Sequence, residues 1–143
     1  MKTRKKFDLL LVEDNPADVY LIRECLSDRS LIPHLHIVSD GDEAIRFLEK
    51  KNPFENKPVP KLIILDLNLP KISGFQVLNY VKKDDRFKSI PVIILSTSNS
   101  FNDISQSYSL NANCYVAKPK DLEDFSRVIN SIEDFWMETA EVI

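Results

Sequence analysis

Glu13 and Asp14 stand where one apolar run stops, and Asp66 stands where a second run, Leu62-Ile63-Ile64-Leu65, stops. Ser96 and Thr97 follow a third such run, and Lys118, just before Pro119, follows a fourth. A carboxylate at the end of a buried strand is costly unless something compensates it. Carboxylate oxygens completed by water suit Mg²⁺, a hard cation that keeps part of its hydration shell. A lysine ammonium is a point charge suited to phosphate, and a hydroxyl can hydrogen-bond a phosphoryl oxygen. Together these groups describe phosphoryl transfer to a carboxylate, where positioning and charge neutralisation do most of the catalysis.

Such a set needs a scaffold that gathers strand ends. Apolar runs predict strands over 7–12, 35–38, 61–65, 90–95 and 114–117, the third and fourth apolar on both faces. Helical spacing predicts helices between them. Asn15-Pro16 starts one carrying Val19, Ile22, Cys25 and Leu26, with proline in the first turn. Asp40-Gly41-Asp42 leads into another carrying Ala44, Ile45, Phe47 and Leu48, and a third runs over 74–83 with Phe75, Leu78 and Val81 inward. The Ser-rich stretch 100–110 is a weaker helix with Phe101, Ile104 and Tyr108 as its core stripe. The strongest, over 121–137, aligns Leu122, Phe125, Ile129, Ile132 and Trp136. Prolines 53, 58 and 60 mark a loop. Alternating strands and helices imply an α/β fold, a doubly wound parallel sheet covered on both faces. Ligands then bind beyond the carboxyl ends of the strands, where the acids and the lysine lie.

The whole chain, 1–143, fits one domain, with residues 1–6 as a basic lead-in and 138–143 as a short tail. Apolar residues at 43% suffice for a core, and a net charge of −3 gives no general attraction to nucleic acid or membrane. No apolar run reaches membrane-spanning length, and no signal peptide is visible. Cys25 and Cys114 lack metal-ligand spacing and read as reduced, half-buried thiols of a cytoplasmic protein. With two glycines, Gly41 and Gly74, a Gly-rich phosphate loop is excluded. His34 and His36 share a strand face without an evident third ligand.

These residues resemble the response-regulator receiver domain of two-component signalling. The resemblance rests on the acidic pair after strand one, Asp66 after strand three, Gly74 eight residues later, Ser96 after strand four, and Lys118-Pro119 after strand five. It implies a flavodoxin-like, CheY-like fold with strand order 2-1-3-4-5. Asp66 would accept a phosphoryl group from a phosphohistidine of a sensor histidine kinase. Glu13, Asp14, Asp66 and the backbone carbonyl of Asn68 would hold Mg²⁺, with Mn²⁺ as an alternative. Lys118 and Ser96 would bind the phosphoryl group, beside Thr97, and Ser96 and Tyr115 would form the switch. Lys118-Pro119 would be a cis peptide. The stretches 113–118 and 133–136 further resemble the small stand-alone regulators partnered with cyanobacterial phytochromes. Output would then pass through the face of helix 4, strand 5 and helix 5, with a homodimer interface at Val128, Ile132, Phe135 and Trp136, beside Met137.

Some positions depart from the family pattern. Glu13 replaces the commoner Asp, Thr97 replaces a small residue, Lys120 replaces a common aromatic, and Asn111 stands where Gly is frequent. Asn tolerates the left-handed conformation that such a place requires. Two alternatives, a phosphorelay intermediate and a docking-only receiver, stay open, although the second would be expected to lack the acceptor or the lysine. An aspartate-nucleophile phosphatase needs an acid two residues after the nucleophile, and Asn68 cannot transfer a proton near neutrality. No basic recognition helix follows, which disfavours DNA binding.

Overall fold

The computed structural model describes residues 8–27 and 34–139. The basic run of residues 2–6, Phe7, residues 140–143 of the tail and the side chain of Met137 lie outside the described residues.

Five parallel strands form one sheet in the order 2-1-3-4-5. They are β1 (Leu9–Val12), β2 (Leu35–Val38), β3 (Leu62–Leu65), β4 (Val92–Ser96) and β5 (Cys114–Ala117). Between and after them run α1 (Pro16–Ser27), α2 (Gly41–Leu48), α3 (Gly74–Lys83), α4 (Phe101–Ser109) and α5 (Leu122–Ile132). The last helix continues as π-helix through Glu133–Thr139.

Strand side chains alternate between faces, so each run feeds two cores. Leu10, Val12, Ile63, Leu65, Val92 and Ile94 pack against α2 and α3 through Phe47, Leu48, Val77, Leu78 and Val81. Leu9, Leu11, Leu62, Ile64, Ile93 and Leu95 pack against α1 and α5 through Ile22, Leu26, Phe125 and Ile129. Helix starts are set locally. Asn15 Oδ1 accepts from the Ala17 and Asp18 amides, Asp40 caps α2, and Ser73 with Gln76 forms a capping box on α3. Asn111 adopts φ 73°, the left-handed conformation expected there.

Two expected stripes are corrected. On α4, Phe101 is 82% and Tyr108 47% exposed, and the buried residue of that helix is Ser107. This helix lies beside β5 at the sheet edge, and Ser107 can face inward because its hydroxyl donates to the Asp103 carbonyl at 2.7 Å. On α5, Leu122 is exposed while Phe125, Ile129 and Ile132 are buried, because the first turn of that helix overshoots the core. Ile132, expected at an interface, belongs to that core, with Val128 and Trp136 packed partly against it.

Candidate functional site

Strand register builds the site. Val12 is paired with Leu65, so the next residues, Glu13 and Asp66, emerge side by side. Backbone bonds carry the ladder past the strands: Glu13 N–H donates to the Val38 carbonyl at 3.0 Å and Asp66 N–H to the Val12 carbonyl at 3.1 Å. Ser96 is paired with Ala117, and Lys118 N–H donates back to the Ser96 carbonyl at 2.6 Å. Backbone hydrogen bonding at the strand ends therefore sets where Glu13, Asp66 and Lys118 leave the sheet.

Burial is uneven. Glu13 is 2% and Asp66 6% exposed, whereas Asp14 points into solvent. One carboxylate oxygen from each of Glu13, Asp14 and Asp66 lies within 4.8 Å of the others. That all-oxygen set fits a hard divalent cation. Asp66 Oδ1 also accepts from the Asn68 amide at 3.2 Å, which shapes the turn after β3.

The Lys118 ammonium, almost fully buried, lies 2.5 Å from Glu13, 2.8 Å from Asp18 and 3.3 Å from Asp66. Burial alone would lower its pKa. Hydrogen bonds to Asp18 and Glu13, and the charge of Asp66, outweigh that and hold it above the usual lysine range. One ammonium cannot neutralise every acid around it. Burial, reinforced by Asp66, pushes Glu13 up to about 7 against the pull of Lys118. Between its ordinary 4.5 and about 7, the folded protein holds a proton on Glu13 that the unfolded chain has released. This contribution makes stability fall as pH rises through that window. With chelator present, Glu13→Gln should remove about 2 kcal/mol of this dependence across roughly pH 5 to 7.5. Urea titrations of both proteins would read it, and parallel pH slopes would contradict it.

Asp18 is a partner of Lys118 that sequence reading missed. A single acid in the first turn of a helix reads as a dipole preference. The available signal was its place in the turn opened by Asn15-Pro16, beside the strand ends. Lys118-Pro119 is also corrected, because the described cis bond is Asn52-Pro53. From a trans peptide, the energetically preferred form, Lys118 already reaches Glu13, Asp18 and Asp66.

The β4–α4 loop carries the remaining groups. Ser96 is fully buried, its Oγ accepting from the Ser98 amide at 3.2 Å, and Thr97 is exposed. Tyr115 donates its hydroxyl to the Ser98 carbonyl at 2.6 Å, while its own amide donates to the Tyr108 hydroxyl at 3.0 Å. Ser98 Oγ donates to Asp103 at 2.6 Å. Strand β5, the loop and α4 are thus joined by hydrogen bonds.

A family model for the response regulator receiver domain matches residues 9–130. The chain belongs to this family. Among relatives of this receiver, response regulator Rcp1 of Synechocystis is 44% identical over 92% of this chain and 90% of its own length. The crystal structure of the phosphorylated cyanobacterial phytochrome response regulator RcpA superposes with a TM-score of 0.92 at 43% identity, covering 96% of this chain and 99% of that one. The Mn²⁺-bound form of Rcp1 superposes with a TM-score of 0.88 at 40% identity, covering 96% and 99%. The expected receiver fold, with its 2-1-3-4-5 sheet, is the one observed. No helix among the described residues is long and apolar enough to cross a membrane.

Away from the acids, a groove of about 800 Å³ runs between β5 and α5. Val128, Ile132, Phe135 and Trp136 line it together with Cys114 and Arg127. Phe135 is 54% exposed and meets Trp136 edge to face at 5.2 Å.

Proposed function

We propose that Asp66 accepts a phosphoryl group from a phosphohistidine of a sensor histidine kinase and holds it as a signal. The observation that carries this is a buried Asp66 that belongs to a divalent-cation trio and also lies 3.3 Å from the Lys118 ammonium. A carboxylate oxygen of Asp66 attacks phosphorus, and the P–N bond breaks with its electron pair leaving on the imidazole. Glu13, Asp14, Asp66 and the Asn68 carbonyl would hold Mg²⁺ or Mn²⁺, which would neutralise phosphoryl charge. Lys118 balances the charge that arrives, and Ser96 Oγ can turn to a phosphoryl oxygen.

Phosphorylation adds about −1.5 to −2 charge. Drawing Ser96 towards it pulls on Ser98, whose carbonyl holds Tyr115. Shifting a 1:99 population to 99:1 takes roughly 5.5 kcal/mol, within reach of a few charge-assisted bonds of about 1.5–3 kcal/mol each. The likeness to RcpA and Rcp1 favours a phytochrome kinase as the source of the phosphoryl group. This reading makes the protein a cytoplasmic single receiver that assists only its own phosphorylation and dephosphorylation. Output passes through the face of α4, β5 and α5. The β5–α5 groove and exposed Phe135 support a homodimer on that face.

Incubation with a small phosphodonor and Mg²⁺ should add one phosphoryl group by intact mass, and Asp66→Asn should abolish it. Labelling that persists in Asp66→Asn would overturn the assignment.

A further inference from the structure

Lys118 is shared unevenly. Its ammonium is closest to Glu13 and Asp18 and farthest from Asp66, so it leans towards β1 and α1 while still bonded to the acceptor. Glu13 belongs to the trio that fits one divalent ion, and Asp18 does not. A cation on that trio competes with the lysine for the charge of Glu13. Asp18 is then the anion left competing with Asp66 for Lys118.

Asp18 is well fixed for that role. It lies in the first turn of α1, its amide donating to Asn15 Oδ1 at 3.2 Å, where the helix dipole favours a negative charge. Its side chain is 18% exposed, buried enough for its charge to be felt by the lysine. An ammonium has three N–H donors, and a donor given to Asp18 is not given to a phosphoryl oxygen.

We propose that Asp18 is a positioning residue that competes with the phosphoryl group on Asp66 for the Lys118 ammonium, setting how tightly the phosphorylated form is held. This rests on the reading of Asp66 as the acceptor. Removing the Asp18 charge weakens its hold on one lysine donor and relieves repulsion of an incoming anion.

The test is calorimetric titration of the full chain with beryllofluoride, a phosphoryl mimic, at saturating Mg²⁺. Asp18→Asn should tighten binding about tenfold, and Asp18→Glu, which keeps the charge, should restore affinity to within about twofold of wild type. Should Asp18→Asn fold poorly, Asp18→Ser carries the same expectation. Unchanged or weaker binding in the uncharged variants, or equal tightening in Asp18→Glu, would overturn the proposal. Wild-type protein that binds no beryllofluoride would instead overturn the reading of Asp66.

Discussion

Lys118→Met is expected to cost about 3–5 kcal/mol of stability near pH 8 with chelator present, and much less near pH 5. Methionine fills most of the alkyl volume, so the loss is one of charge and not of packing. Without the ammonium, Glu13 and Asp66 face each other and Asp18 with no cation, at 2% and 6% exposure for the first two. At that burial neither is well hydrated. The remaining escape is protonation, and Glu13 already sits at about 7 with the lysine in place. Near pH 5 that proton is bound and the penalty is largely relieved, whereas near pH 8 it must be taken from dilute solution. Mg²⁺ should therefore stabilise the variant more than the wild type, because a cation on Glu13, Asp14 and Asp66 replaces the missing charge. Urea midpoints at both pH values, with and without Mg²⁺, decide it. Equal losses at the two pH values would mean that Lys118 contributes through packing.

The same electrostatic logic separates what could be read in the chain from what could not. Runs such as Leu62-Ile63-Ile64-Leu65 are apolar on both faces because helices cover both faces, so the central strands and their terminal acids were legible. The parallel pairing of β1 with β3 sets the register that brings Glu13 beside Asp66. The α4 stripe failed because a 3.6-residue period says which residues share a face, not whether that face is covered. At the sheet edge α4 has little to cover it, and the small Ser107 is its buried residue. Asp18 failed for a different reason. Its partner lies 100 residues away, and nothing local distinguishes an ion pair from an ordinary first-turn acid. Lys82 was missed in the same way. Its ammonium donates to the Ile90 carbonyl at 2.7 Å and to Asn113 Oδ1 at 2.8 Å, bracing the start of β4. Long-range polar pairs need coordinates, whereas apolar period and strand-end chemistry do not.

Gly74→Ala is expected to lose about 2 kcal/mol of stability and to weaken divalent-cation binding about tenfold or more. Alanine is the better helix former by about 0.8–1 kcal/mol, so propensity alone predicts the opposite sign. Space decides against it. A Cβ on Gly74 would lie 2.3 Å from the Asp66 carbonyl oxygen and 2.5 Å from Leu67 Cα, and backbone cannot step aside as a flexible side chain can. Relief requires α3 to withdraw from the strand end, which breaks the bond from the Gly74 amide to the Leu67 carbonyl at 3.0 Å. Since Asp66 and Leu67 are the residues pushed, the carboxylate shifts relative to Glu13 and Asp14, and a cation site tolerates little displacement. Gly41 supplies the control. A Cβ there would meet the Ile72 carbonyl oxygen at 2.2 Å, an equal clash that does not bear directly on Asp66. Gly41→Ala should therefore lose comparable stability while keeping Mg²⁺ affinity within about twofold of wild type. Calorimetric Mg²⁺ titration of both variants, below their unfolding transitions, separates the two effects. Matching affinities would show that Gly74 is required for packing α3 alone and not for placing Asp66.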